Sequence, residues 1–160
     1  MRSMRRLEDR RRAALSLILA AAMAAPLPAA PAPADLRLQW AGEAAAIRRP
    51  VKGTAGTTVA LPYEIVNVGG SDAFAVVVTS RTTVGPVGTP TRIQPGPQPG
   101  KAIGRKVSFA LVRGMREICV DASLQHRAGG EPPDPDVANN RICRAIEVTP
   151  QQARSEEDRR

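Results

Sequence analysis

The chain has 160 residues and a formal net charge of +8, and it contains one histidine and four aromatic residues. A single histidine excludes a zinc centre built from several histidines. Four aromatic side chains are too few for a surface that stacks nucleic-acid bases, so no nucleic-acid partner is expected.

The N-terminal 34 residues have the pattern of a secretory signal peptide. A basic segment with six arginines precedes the apolar run AALSLILAAAMAA, and small residues follow it. Ala-x-Ala motifs allow cleavage after Ala24 or after Ala34. The run is shorter than the roughly 20 residues of a spanning helix, so we expect no transmembrane segment after cleavage. An uncleaved N-terminal anchor or an ordinary buried helix is the alternative interpretation.

Cleavage of the signal peptide would change the net charge of the chain, and export would place it outside the cytoplasm. Removal of residues 1–34 leaves 17 basic and 13 acidic residues, a net charge of +4. Residues 35–150 are then predicted to form one domain, and the charged residues 151–160 are predicted to be a disordered tail. The predicted location is the periplasm or the external medium.

Three segments in the first half of the expected domain predict β-strands. Residues 35–40 alternate apolar and polar side chains, and residues 57–67 do so over a longer run. Pro62 predicts that the second strand lies at a sheet edge or contains a bulge. Residues 72–82 are apolar and β-branched on both faces, which predicts a central strand. Residues 41–56 lose this periodicity and are predicted to be a loop.

Glycine and proline residues predict turns on either side of the central strand. Gly69 and Gly70 predict a turn that uses positive φ angles. The Gly- and Pro-rich region that follows residue 82 excludes helix over much of its length, and Val87 and Ile93 mark a short edge strand. Residues 105–112 alternate again and predict another half-buried strand.

The last two predicted strands carry the only two cysteines. Ile118 and Val120 face one side of the first of these strands, and Cys119 faces the other. Neighbouring antiparallel strands bring Cys119 and Cys143 within bonding reach on the face opposite the core. The sequence thus predicts a disulfide, with two free buried thiols as the alternative. Closing these 25 residues stabilises the fold by about 3–4 kcal/mol on a chain-entropy basis.

The spacing of these elements predicts the fold class. About seven short strands separated by Gly and Pro turns, with no convincing helix after the leader, indicate an all-β sandwich. The two sheets are expected to pack their apolar faces against each other.

The order of short motifs in residues 35–150 resembles the CARDB family, the cell-adhesion-related domain found in bacteria. The matching positions are Asn67 and Gly69 at a strand end, Gly114 and Asp121 in a Gly-led strand, and Asn139 and Asn140 before the last strand. The resemblance implies an immunoglobulin- or fibronectin III-like sandwich of a surface or secreted protein. The chain departs from the family pattern in having PPDPD where glutamates are expected, and in having one copy without an attached enzyme.

Oxygen-bearing side chains collect in and beside the loop between the two cysteine strands. The predicted calcium ligands are Asp121, Asp134, Asp136 and Asn139, with Glu131 and Asn140 close by in sequence. Calcium takes about six to eight oxygen ligands, although the spacing here is not that of an EF-hand. The interpretation that the sequence favours is that these side chains bond their own backbone in Asx turns, with calcium binding as the alternative. Calcium is the one candidate cofactor.

The sequence contains no recognisable reaction centre. His126 lies in a predicted loop without the nucleophile and acid of a triad, and no serine lies in a Gly-x-Ser-x-Gly elbow. Neither a P-loop nor a dinucleotide-binding glycine motif occurs. We therefore predict a non-enzymatic protein with His126 solvated at its surface.

These observations predict an exported, adhesion-like module that binds a protein or a surface glycan through loops or a sheet edge. The alternative is a calcium-dependent or polyanion-binding protein of the cell envelope. The basic side chains available to a polyanion are Arg48, Arg49, Lys52, Lys101, Arg105 and Lys106. The favoured interpretation places these side chains in solvated loops.

Overall fold

Nine strands in two sheets make up most of residues 29–125 and 132–150, the part of the chain that this computed structural model describes. In chain order the elements are β1 (Leu36–Trp40), α1 (Ala44–Ile47), β2 (Val51–Thr54), β3 (Thr58–Asn67), β4 (Ala75–Thr82), β5 (Gly85–Pro86), β6 (Thr91–Ile93), β7 (Ala102–Ala110), β8 (Glu117–Gln125), a 3-10 helix (Val137–Asn140) and β9 (Arg141–Thr149). The predicted signal sequence up to residue 28, the predicted tail, His126 and Glu131 lie outside the described residues.

The two sheets enclose one apolar core. The first sheet has the order β1-β3-β7 and is antiparallel throughout. The second has the order β2-β9-β8-β4-β5, with β6 also paired to β4 and with β2 parallel to β9. Leu36 and Ile65 from the first sheet share the core with Ile118 and Val120 from the second, and all four are fully buried. The predicted all-β sandwich is confirmed.

The strands with clear period-two alternation lie where the sequence predicts them. β4 is internal, between β8 on one side and the short strands β5 and β6 on the other. Ile93, expected to mark a short edge strand, ends β6 and is buried. No helix within residues 29–125 and 132–150 has the length and apolar character needed to cross a membrane.

The segment between β1 and β3 differs from its prediction as a loop. Ala44–Ile47 forms one helical turn, and Val51–Thr54 forms β2. Val51 is buried in the core and pairs with Ile146 of β9. The burial of this side chain and the pairing with the last described strand in the sequence stabilise β2. The loop prediction was wrong because the four residues of β2 are too few to show the alternation of apolar and polar side chains that identifies a strand.

β3 is the central strand of its sheet, although Pro62 predicted an edge strand or a bulge. Tyr63 pairs with Trp40, the last residue of β1, and the Ala41 N–H donates to the Pro62 carbonyl at 3.0 Å. The N and C=O of a residue in an antiparallel strand point to the same side. The nitrogen of Pro62 therefore faces the C-terminal end of β1. Because Pro62 has no N–H, the ladder between β1 and β3 loses at most its last hydrogen bond.

Gly69 and Gly70 lie in a bend, but neither has the predicted positive φ angle. At Gly69 the constraint is a close approach instead. A Cβ there would lie 2.1 Å from the Pro33 carbonyl oxygen and 2.5 Å from the Asp35 nitrogen, so only glycine leaves room for the segment that crosses it. Gly114, the other matched glycine, does have a positive φ of 92° and forms the turn before β8.

Candidate functional site

Asp134 fastens the loop before β9 to the first strand. One carboxylate oxygen accepts hydrogen bonds from the Leu36 N–H at 3.0 Å and from Asn140 Nδ2 at 2.9 Å, and the other accepts one from the Asp136 N–H at 3.1 Å. The register of β1 with β3 places the Leu36 N–H on the side of β1 that faces away from β3. Asp134 therefore covers the outer edge of β1.

Asp136 caps the 3-10 helix. Its Oδ1 accepts a hydrogen bond from the Ala138 N–H at 3.2 Å, and its Oδ2 accepts one from Asn139 Nδ2 at 3.2 Å. Asn139 Nδ2 also donates to Asp35 Oδ1 at 3.2 Å. The bonds of Asp136 are of the Asx type that the sequence favours over calcium binding.

Two amide oxygens in the same loop are buried and have no hydrogen-bond partner among the described residues, namely Asn139 Oδ1 and Asn140 Oδ1. Asn140 as a whole is only 5% exposed. A buried acceptor left unpaired costs about 1–3 kcal/mol, so each oxygen favours an added donor or a cation. Asp134, Asp136, Asn139 and Asn140 thus come together, and we call this group the Asp/Asn loop.

Asp121, the remaining predicted calcium ligand, makes its close contacts with cations. Its carboxylate oxygens lie 3.6 Å from Arg141 Nε and 3.8 Å from Arg81 Nε. Asp121 lines the same surface cavity as Asp134 and Asn140. Across residues 29–125 and 132–150, however, no three acidic side chains bring carboxylate oxygens within 4.8 Å of one another. The two guanidinium groups compete with a metal ion for Asp121.

The predicted disulfide is present between Cys119 of β8 and Cys143 of β9, which face each other in the register of the two strands. Cys119 is buried but lies outside the apolar core, as the alternation of β8 predicts. Arg141 covers the bridge, with Nη2 3.5 Å from the Cys119 sulfur and Nε 3.5 Å from the Cys143 sulfur.

Glu117 lies beside this disulfide, with one carboxylate oxygen 3.4 Å from the Cys119 sulfur. The ligand atoms of Glu117, Cys119 and Cys143 all lie within 4.8 Å of one another, which is the spacing of a metal cluster. Metals bind the thiolate form of cysteine, and two sulfurs bonded to each other offer no thiolate. In the oxidised protein this group is therefore a covalent link and does not fit a metal.

Asn67, from the Asn-x-Gly match, connects three parts of the backbone through its side chain. Oδ1 accepts hydrogen bonds from the Asp35 N–H at 3.2 Å and the Gly69 N–H at 3.0 Å. Nδ2 donates to the Ser71 carbonyl at 2.7 Å and the Pro97 carbonyl at 3.0 Å. The residue is fully buried, and both the amide oxygen and the amide nitrogen are satisfied. Asn67 holds the fold together at this end of the first sheet.

β7 is an edge strand, and along most of its length no described residue pairs with its outer backbone groups. At its two ends the Lys101 carbonyl accepts from the Asn67 N–H at 3.1 Å, and the Leu111 N–H donates to the Thr57 carbonyl at 2.8 Å. Odd-numbered residues therefore face β3, because pairing alternates along an antiparallel strand. The even-numbered residues turn their N–H and C=O groups outward: Ala102, Gly104, Lys106, Ser108 and Ala110, all exposed.

This row of backbone groups, which we call the β7 edge, adjoins a shallow groove. Lys106, Ser108, Val87 and Thr91 contribute to the lining of the groove. Within the described residues, one side chain reaches the row, since Arg105 Nη1 donates to the Gly104 carbonyl at 3.0 Å. A sheet edge was expected from the sequence, but only the pairing of the strands identifies which edge is open.

The six basic residues considered for polyanion binding lie in three parts of the fold. Arg48 and Arg49 follow α1, Lys52 lies in β2, and Lys101, Arg105 and Lys106 lie at or in β7. Lys52 pairs with Glu147 at 2.8 Å on the surface. Arg105 and Lys106 therefore lie within the β7 edge strand, whereas Lys52 on β2 is paired with an acid.

The fold changes the titration of Tyr63. Burial raises the pKa of the Tyr63 phenol above its ordinary value, and the positive charge of Arg105 offsets part of that effect. The ring packs edge-to-face against Trp40, with ring centroids 6.5 Å apart. Trp40 Nε1 in turn donates to the Cys143 carbonyl at 3.2 Å, which ties the first sheet to β9.

The β-sandwich has counterparts among solved structures. The chain is similar to the crystal structure of a CARDB domain from Pyrococcus furiosus in complex with di-metal ions, with a TM-score of 0.50 and 10% identity over 78% of this chain and 95% of that chain. The solution NMR structure of that domain has a TM-score of 0.51 and 12% identity, covering 72% of this chain and 95% of its own. No protein-family model and no curated protein matches the chain. At these identities the similarity establishes the fold alone.

Proposed function

We propose that this chain, whose fold is that of a CARDB domain, is an exported, non-enzymatic, adhesion-related module that binds an extended protein segment at the β7 edge. The supporting observation is the row of outward N–H and C=O groups on alternate residues of β7. A strand added alongside would pair with these groups, which is how β-strand addition gives affinity. The disulfide between Cys119 and Cys143 is consistent with an oxidising location outside the cytoplasm.

The side chains of β7 favour a partner strand that carries acidic residues. Four of its five outward residues are alanine, glycine or serine, so a second backbone can approach closely. Arg105 and Lys106 place two adjacent positive charges at the centre of the strand. Antiparallel pairing of two copies through this centre would oppose like charges, which is unfavourable. We therefore assign the β7 edge to a different polypeptide, with Asp or Glu facing these cations.

A surface glycan is the competing class of partner. Sugars are held mainly by side-chain hydroxyl, amide and carboxylate groups and by exposed ring faces. Tyr63 is buried and Trp40 is half-buried against it, so this pair does not present an open ring face. The β7 edge, by contrast, offers backbone groups at the spacing of a β-ladder, which supports a protein partner.

Ser108→Pro tests strand addition directly. The Ser108 N–H points outward and does not pair with β3, so proline removes one donor and obstructs the edge without breaking the ladder. Ser108→Ala is the matched control. A display library of extended heptapeptides is selected on the wild-type protein, and the affinity of each enriched peptide is measured by isothermal titration calorimetry. We expect acidic peptides that lose at least about tenfold in affinity for Ser108→Pro and bind Ser108→Ala as they bind wild type.

Equal affinity for wild type and for folded Ser108→Pro would contradict the assignment to the β7 edge. A parallel panel of surface polysaccharides addresses the glycan alternative. Polysaccharide binding that is unchanged in Ser108→Pro, together with a library that yields no peptide, would favour a glycan-binding module instead.

A second candidate function is calcium-dependent binding at the Asp/Asn loop. It is favoured by the unpartnered buried oxygens of Asn139 and Asn140, which lie in the same loop as the carboxylates of Asp134 and Asp136. Amide and carboxylate oxygens are the ligands that calcium prefers, so these four residues fit the ion. A CARDB domain of similar fold has been solved with di-metal ions. A bound ion would neutralise the two carboxylates and stiffen the loop against β1.

Thermal unfolding in calcium and in a chelator tests the second candidate. We expect calcium, but not magnesium, to raise the melting temperature of the wild type. Asn140→Ala and Asp134→Ala should lose this increment, because each removes a ligand. Asp121→Ala should keep it, since Asp121 is engaged by Arg81 and Arg141. A wild type that melts at the same temperature in calcium and in chelator would contradict calcium binding.

A further inference from the structure

The short segment Ala32–Ala34, which precedes β1, is part of the folded β-domain. Ala34 is 9% exposed and belongs to the hydrophobic core. The Pro33 carbonyl accepts a hydrogen bond from the Gly70 N–H at 3.1 Å, and the Ala32 carbonyl accepts one from Ser71 Oγ at 2.7 Å. Each of the three residues therefore has a specific partner in the fold.

The bend after β3 is shaped to receive this segment. A Cβ at Gly69 would lie 2.1 Å from the Pro33 oxygen and 2.8 Å from the Ala34 Cα, so the glycine leaves space that Pro33 and Ala34 occupy. At Gly70 a Cβ would come within 3.1 Å of the Ala32 backbone. Two glycines in succession thus lie directly under the crossing segment.

The Asp35 nitrogen lies at the point where the alternative cleavage motif would create a new terminus. As a peptide N–H it donates to Oδ1 of the fully buried Asn67 at 3.2 Å. Cleavage after Ala34 would convert this amide into a free α-ammonium group, so Asp35 would no longer be held in place by a preceding peptide bond. The same cleavage would remove all three residues of the segment and leave the space above Gly69 empty.

We propose that signal processing takes place upstream of Ala32, at the motif that ends in Ala24, so that the mature protein keeps Ala32–Ala34. Water adds across the Ala24–Ala25 peptide bond and leaves a carboxylate on Ala24 and a free amine on Ala25. The burial of Ala34 in the finished fold does not protect the later bond during export, when the chain is unfolded. The proposal is based on the contacts of Ala32–Ala34 in the folded domain, because cleavage after Ala34 would remove these three residues. It rests on the proposed export of the protein.

Intact mass and N-terminal sequencing of the exported protein, expressed as the full chain in a bacterial host, test the cleavage site. We expect the mature chain to begin at Ala25. Ala24→Leu should abolish the terminus at Ala25, whereas Ala32→Leu, which alters only the later motif, should leave the N-terminus at Ala25. A mature chain that begins at Asp35 would overturn the inference while leaving export intact. An unprocessed chain retained in the cell would contradict export and the inference together.

The requirement for the segment is tested without export by comparing two chains, one beginning at Ala25 and one at Asp35. We expect the shorter chain to melt roughly 2–8 °C lower, the range over which a modest loss of stability shifts the melting temperature of domains of about 60 to 250 residues. Equal melting temperatures would overturn the inference, because Ala32–Ala34 would then be dispensable.

Discussion

The carboxylate of Asp134 accepts a hydrogen bond from the main-chain N–H of Leu36 at 3.0 Å, across a sequence separation of 98 residues. Leu36 is fully buried, and its N–H lies on the outer edge of β1. The loop before β9 thus occupies the start of this outer edge, whereas β7 forms the opposite edge of the same sheet. The two edges of the first sheet therefore differ in what contacts them.

Replacement of Asp134 by alanine should lower the free energy of unfolding by about 1–3 kcal/mol, because the Leu36 N–H is left without an acceptor. The measurement is urea denaturation followed by Trp40 fluorescence in calcium-free buffer. Asp136→Ala is the control, since the bonds of the Asp136 carboxylate to described residues stay within its own loop. Its loss should be the smaller of the two, and a larger loss in Asp136→Ala would contradict the role assigned to Asp134.

Gly69→Ala should be strongly destabilising, by about 1–3 kcal/mol or more, because its Cβ would lie 2.1 Å from the Pro33 oxygen. Gly104→Ala provides the comparison, since nothing lies within 4 Å of a Cβ at Gly104. There the expected change is neutral, or a gain of up to about 1 kcal/mol from the better strand propensity of alanine. Equal unfolding free energies for the two variants in a chemical melt would show that the close approach is not a constraint.

Removal of the disulfide in Cys119→Ala/Cys143→Ala should reduce stability by about 3–4 kcal/mol, the chain-entropy value for a sequence separation of 24 residues. The double variant avoids leaving one reactive thiol. Reduction of the wild type with dithiothreitol should produce a similar decrease, read from the midpoint of a guanidinium titration. A wild type whose midpoint does not move on reduction would mean that the bridge adds little to the packing of β8 on β9.

The stability of the protein should fall at alkaline pH through Tyr63. Burial raises the pKa of its phenol in the folded state, whereas the unfolded phenol titrates near the ordinary value of about 10. The folded state therefore holds its proton to higher pH, and its advantage is complete below pH about 10 and lost as the pH rises through the folded pKa. Tyr63→Phe should remove this component.

Ultraviolet absorbance of tyrosinate measures that titration at one residue, because the chain has a single tyrosine. The midpoint in the folded protein should lie above the midpoint in guanidinium. Coincident midpoints would show that the phenol is not shielded from water.

Local patterns were sufficient to predict the longer strands, their inward faces and the disulfide, but not β2. In β8, Ile118 faces the core and Cys119 faces away because successive side chains of a strand point to opposite sides. The residues of the Asp/Asn loop were also identifiable, since Asp and Asn cluster there in the sequence. Their contacts were not, because Asp134 bonds to β1 and Asp121 bonds to Arg81 and Arg141.

The sequence by itself determined the fold class, since alternating apolar residues can bury one face only as strands packed in two layers. The tertiary structure decided which strands are neighbours, that β2 joins β9, that Asp134 bonds to β1 and that β7 is an edge strand. Every residue other than proline offers the same backbone donor and acceptor, so the local sequence does not record which strand will pair with it. That choice depends on packing between residues far apart in the chain, and it exists only once the two sheets have come together.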